Sequence, residues 1–181
     1  MELFEKTLST KEIYKGRIIT VHEDEIELPD GSKSSREVVE HSGGVCVAAI
    51  TVEDEMFFVR QFRYPYKRVL LELPAGKREK GEDPLEAGKR ELQEECGVTA
   101  EKIIPMGTVY PTVAYCSEII YLYAAKNLKK SHQNLDEGEF LCVEKIKIDD
   151  AAKMVMKGEI SDSKTVALVL KVARLKEEGA L

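Results

Sequence analysis

One helix has both of its ends written into the chain, and the rest of the molecule must be arranged around it. Asp83-Pro84-Leu85-Glu86 carries the start signals. Asp83 is the N-cap, Pro84 holds the first helical position, and Glu86 takes the capping-box position. Gly97 is the stop. Between them Leu85, Leu92 and Cys96 fall on one apolar face, with Gly88 beside them. A glycine inside a helix costs about 1 kcal/mol relative to alanine. Close packing against a neighbouring element is therefore its expected reason.

On the other side, Glu91, Glu94 and Glu95 are three and four residues apart and so are neighbours. Solvation is the ordinary account of an acidic helix face, but two points weigh against it. Like charges at these spacings repel by a few tenths of a kcal/mol, roughly, per pair. Glu94 and Glu95 also occupy the last turn, where the negative end of the helix dipole disfavours carboxylates. Arg90 offsets part of this through its spacing to Glu94. Clustered hard oxygen donors under such repulsion suit a divalent cation, with magnesium the usual choice in phosphate chemistry.

The stretch from Gly76 to Val98 reads GKREKGEDPLEAGKRELQEECGV. It is Gly, five residues, Glu, seven residues, then Arg-Glu-Leu-x-Glu-Glu-x-Gly-Val, and it resembles the full signature of the Nudix hydrolases. With each of its seven fixed residues at about 6% by composition, a chance match anywhere in the chain is rarer than about one in a million. The resemblance implies an α/β fold, a Nudix-type α/β/α sandwich with a mixed β-sheet. It also implies cleavage of nucleoside diphosphates linked to a further group. Further segments resemble the bacterial ADP-ribose pyrophosphatases: 35–41 (SREVVEH), 59–65 (VRQFRYP), 72–77 (ELPAGK), Tyr110-Pro111 and 136–140 (DEGEF). Pro111, 13 residues past the box, accompanies ADP-ribose preference in that family. The loop after it, 112–118 (TVAYCSE), departs from the family pattern, which continues with Gly, and the chain has no Trp.

Carried over residue by residue, the resemblance implies these roles. Ala75 offers its backbone carbonyl to a metal, Glu91 and Glu95 are the principal ligands, and Glu94 joins them. Glu82 has a mainly supporting part in the metal site. Arg90 orients the glutamates by ion pairing. Arg63 is expected on the substrate diphosphate, because a guanidinium matches phosphate oxygens in a bidentate fork. Arg36 and Glu72 are further substrate candidates, with Pro111 marking the sugar side. A general base must be a carboxylate near the metals yet free to move. The acidic loop 133–139 fits, with Glu139 first and Glu137 in reserve. The expected reaction is Mg²⁺-dependent hydrolysis of ADP-ribose to AMP and ribose 5-phosphate, with Mn²⁺ able to substitute. Alternatives are another nucleoside diphosphate sugar, a dinucleoside polyphosphate, or a sensor that binds ADP-ribose without cleaving it. The intact box weighs against the sensor.

The remaining chain reads as follows. Residues 1–41 form an N-terminal antiparallel β unit, with strands over 3–14, 17–28 and 34–41 and a turn at 29–32; residues 42–181 form the main domain. Strands are expected at 45–52, 56–63, 69–73, 102–110, 117–125 and 140–146, and helices at 149–157 and 162–178. Unpaired strand edges in 1–41 invite pairing with another chain, and the resembled branch uses that region to dimerise, so a homodimer is expected. A net charge of −6 makes nucleic acid an improbable partner. No apolar run approaches the roughly 18 residues of a membrane span. Cys46, Cys96, Cys116 and Cys142 have no metal or redox pair spacing. Reduced thiols in a cytoplasmic protein are the expectation.

Overall fold

The computed structural model describes residues 3–181. The chain divides into two compact units, Met1–Gly43 with Tyr110–Ile119, and Gly44–Val109 with Ile120–Leu181. In the first, β1 (Lys6–Lys15), β2 (Ile19–Glu27) and β3 (Lys33–His41) make an antiparallel sheet in that order. The turn expected at 29–32 closes β2 on β3. Gly31 stands at φ +85°, and the Asp30 carboxylate accepts from the Ser32 N–H at 3.0 Å. β1 is exposed along its whole length. Tyr110–Ile119 runs beside β3: Val39 N–H donates to the Tyr115 carbonyl at 2.7 Å, and Ser117 N–H to the Val39 carbonyl at 2.9 Å. Residues 117–119, expected as strand, are held in this loop instead.

The second unit holds two sheets. A mixed sheet has the order β7 (Ala75–Lys77), β4 (Gly44–Ala49), β9 (Ile120–Lys130), β8 (Val98–Val109), with β4 and β9 parallel. An antiparallel sheet has the order β10 (Leu141–Lys147), β5 (Glu55–Arg63), β6 (Arg68–Glu72). Every residue of β4 is buried, so its side chains serve two cores in alternation. Val45, Val47 and Ala49 pack with Ala87 and Leu92 of α1 (Pro84–Cys96). Cys46 and Ala48 pack with Ile148 and Ala151 of α2 (Ile148–Met156) and with Leu168, Val169 and Val172 of α3 (Ser163–Glu177). Helices thus cover both faces of the mixed sheet, which is the sandwich anticipated above.

Two further boundaries differ most from expectation. β8 begins at Val98, directly after the helix stop, and β9 continues to Lys130. The polar end of β9 is carried by its ladder to β8, where Val98 pairs Lys130 and Ala100 pairs Leu128. Short β7 had no periodicity of its own; it exists because Cys46 and Val45 of β4 pair with Ala75 and Gly76.

Candidate active site

α1 begins and ends as its residues dictate. The Asp83 carboxylate accepts from the Leu85 and Glu86 N–H groups at 2.9 and 3.2 Å. Gly97 stands at φ +62° and donates to the Gln93 carbonyl. A side chain at Gly88 would put its Cβ 3.3 Å from the Tyr123 ring and 3.5 Å from Val47. That is the close packing the glycine implied, and it seats the helix against β4 and β9.

The seating brings the acidic face over β7. Glu95 is 2% exposed, and its Oε2 accepts from the Ala75 N–H at 2.9 Å. The Glu91 carboxylate lies on the backbone of Gly76, where a Cβ would sit 2.0–2.2 Å from its atoms. Glycine leaves that space without displacing the carboxylate, which is a physical reason for Gly76 at this position. Arg90 gathers the rest. It donates to Glu82 at 2.9 and 3.1 Å, to Glu91 at 2.8 Å and to Glu94 at 2.8 Å. Its reach therefore exceeds the single Glu94 pairing that the spacing suggests.

Burial pushes Glu91 up to about 7; Arg90 opposes this, while Glu94 and Glu139 add to it. Glu95 is pushed up to about 8, again chiefly by burial. The Ala75 N–H and, more weakly, Arg63 oppose the shift, while Glu91 and Glu139 reinforce it. Glu91, Glu95, Glu139 and Arg63 thus share one electrostatic neighbourhood.

β5 brings in the other side of the site. Gln61 and Arg63 are alternate residues and so project from the same face of the strand. Gln61 Nε2 donates to Glu139 Oε1 at 2.9 Å. The loop bearing Glu139 is also tied to the end of α1, since Gln133 Nε2 donates to the Glu95 carbonyl at 2.7 Å and Asn134 N–H to the Glu94 carbonyl at 3.0 Å. Glu137, in the same loop, is exposed. Arg63 donates through Nε and Nη2 to both oxygens of Glu72, at 2.6 and 2.7 Å.

Glu72 itself is 1% exposed and also receives Lys164. Direct substrate contact, expected from resemblance, is not what this geometry offers; both oxygens of Glu72 are occupied by cations. Arg36 and Pro111 belong to the first unit, where Arg36 forms a fork on Glu5 at 2.5 and 3.0 Å. Sequence reasoning missed Gln61 and Lys164. A lysine in the first turn of a helix, against the dipole, is the signal that singles out Lys164. Gln61 carries no such signal.

The donors fit a hard divalent cation. Carboxylates and a backbone carbonyl are oxygen ligands, and two desolvated carboxylates that repel each other gain most from added positive charge. Among the described residues no acidic, histidine or cysteine side chains are gathered as a ready-made cation site. Glu91 and Glu94 share Arg90 instead.

A family model described as NUDIX domain matches residues 40–169, and one described as nucleoside diphosphate sugar hydrolase N-terminal domain matches residues 5–39. An ADP-ribose pyrophosphatase of Bacillus subtilis is 40% identical over 97% of this chain and 95% of its own length. A methanol dehydrogenase activator of Bacillus methanolicus is 41% identical over 91% of this chain and 90% of its own. An ADP-ribose pyrophosphatase of Mycobacterium tuberculosis is 32% identical over 92% and 82%. In fold, the crystal structure of an ADP compounds hydrolase superposes over all of both chains, with a TM-score of 0.86 and 21% identity.

Proposed function

We infer the reaction from one premise: this chain belongs to the Nudix hydrolase family. We propose that it hydrolyses the diphosphate bond of ADP-ribose, giving AMP and ribose 5-phosphate. The observation that carries the chemistry is the gathering of Glu91 and Glu95 over Ala75 and Gly76, with Gln61 holding Glu139 and Arg63 projecting from the same face of β5. The substrate choice is supported by the relatives named ADP-ribose pyrophosphatase, which match almost end to end.

In this reading the Ala75 carbonyl with Glu91, Glu94 and Glu95 holds Mg²⁺, or Mn²⁺ in its place. A divalent cation so held supplies positive charge to the diphosphate oxygens and acidifies water. Arg90 keeps the glutamates apart and oriented, with Glu82 as its anchor. Arg63 spends two of its five N–H groups on Glu72 and keeps three for phosphate oxygens. Glu139, held by Gln61 until needed, takes the proton of the attacking water, which displaces one phosphate at phosphorus. Glu137 is the second choice for that task. Arg36 and Pro111 contribute to the nucleotide side, the first through a homodimer built on residues 1–41. The protein works in the cytoplasm with its cysteines reduced.

The test is a panel of ADP-ribose, UDP- and GDP-sugars, dinucleoside polyphosphates and NAD, assayed with Mg²⁺ and with Mn²⁺ and with products identified. ADP-ribose should be cleaved best by kcat/KM. Equal or faster cleavage of the other sugars would sink the substrate assignment and leave the family membership standing.

A further inference from the structure

Behind Arg63 stands a row of alternating charges that the reaction leaves unused. Arg63 donates to Glu72; Lys164 Nζ donates to Glu72 Oε2 at 2.6 Å and lies 2.9 Å from Asp162 Oδ2. The side chains of Glu72, Lys164 and Asp162 are 1%, 11% and 17% exposed, against 35% for Arg63. The row is most buried at Glu72 and most open at the arginine.

Lys164 is placed against two physical preferences. It sits in the first turn of α3, where the helix dipole disfavours a cation. It is also buried, which by itself lowers an ammonium pKa. Glu72 and Asp162 outweigh that burial and hold it charged. Asp162 is largely occupied elsewhere: as N-cap it accepts from the Thr165 N–H at 3.1 Å and from its hydroxyl at 2.6 Å. Thr165 Oγ1 in turn accepts from the Leu73 N–H at 2.9 Å, which ties the start of α3 to the residue after Glu72. Lys164 is thus held between two carboxylates, with the shorter contact to Glu72.

We propose that Lys164 is a positioning residue for the diphosphate-binding arginine. It takes up the charge of Glu72, so that this carboxylate fixes the Arg63 fork without cancelling the positive charge Arg63 offers to the substrate. The proposal rests on the reading of Arg63 given above. Without Lys164, Arg63, Glu72 and Asp162 would carry one net negative charge; with it the row is neutral, and its most exposed member is Arg63. Lys164 reaches Glu72 as a second cation from another element, at a site where burial makes charge costly.

The experiment compares full-length wild type, Lys164→Met, Arg63→Gln and the double variant, with ADP-ribose and saturating Mg²⁺, and follows thermal unfolding alongside. Lys164→Met should raise KM about tenfold, with kcat changed less than about threefold, as expected for loss of binding shared by ground and transition states. The Mg²⁺ concentration for half-activation should not move. In the Arg63→Gln background the same replacement should change KM less than about twofold, because the two act as one unit. Its melting point should fall similarly in both backgrounds. Should Lys164→Met fail to fold, Lys164→Gln, which keeps a donor for Glu72 without the charge, takes its place with the same expectations. An unchanged KM in the active wild-type background, or a tenfold rise that persists without Arg63, would overturn the proposal alone. No AMP release by the wild type would overturn the reaction reading, and the proposal with it.

Discussion

Glu95 is the residue at which burial, charge and proposed chemistry meet, so its replacement separates stability from activity. Glu95→Gln keeps the size and the acceptor for the Ala75 N–H but removes the charge. Activity should fall at least ~100-fold, as when a principal electrostatic stabiliser is lost. Stability in EDTA should hold or rise. Near-normal turnover at saturating Mg²⁺ would contradict the assignment. The same burial sets a pH dependence. In the metal-free protein Glu91 and Glu95 titrate at about 7 and about 8, above the ordinary 4.5. Between those values the folded state holds protons the unfolded chain has lost. Stability should then fall as pH rises from about 4.5 and level off above about 8. Saturating Mg²⁺ should flatten the fall. A melting point in EDTA that stays level or rises from pH 5 to 8 would contradict the buried pair. The spacing of the three glutamates was legible because helical geometry is local. Arg90, on the same helix, was legible for the same reason; that Glu95 is buried on β7 and that Glu91 rests on Gly76 was not, because those partners come from tertiary packing.

At the scale of elements, the site depends on a helix lying close over a strand, and two glycines allow it. Gly88 brings α1 down onto β4 and β9, and Gly76 lets the Glu91 carboxylate rest on β7. Gly76→Ala should displace Glu91 and weaken Mg²⁺ activation by about tenfold or more, the scale on which support of metal ligands matters. β7 pairs only with β4, so thermal stability should change little. Unchanged Mg²⁺ dependence would show that Glu91 does not need that place. The helix was readable from its caps and its periodicity. Strand limits were less so: β9 runs into Lys126–Lys130, a polar stretch with no strand pattern, because β8 supplies a ladder for it. β7, with three residues, is too short to show alternation and is specified by its partner.

For the whole molecule, the sandwich was expected from the resemblance, and it agrees with β4, which is buried along its length with helices packed on both faces of its sheet. Assembly is a different matter. β1 exposes both faces, including Ile13 and Tyr14, which are 54% and 58% exposed. Such a strand is a template for pairing with another chain. Removing residues 1–41 should abolish the homodimer proposed above and weaken ADP-ribose binding far more than Mg²⁺ binding. A full-length monomer with normal activity by light scattering at micromolar concentration would end that idea. No helix among the described residues is long and apolar enough to cross a membrane. The central claim is that water attacks phosphorus at this site, and hydrolysis of ADP-ribose in ¹⁸O-water tests it most directly. With Mg²⁺ the account requires equal amounts of AMP and ribose 5-phosphate, with one ¹⁸O in the phosphate of one product. Binding of ADP-ribose with no release of AMP, or release of ADP and ribose with no ¹⁸O in any phosphate, would contradict it.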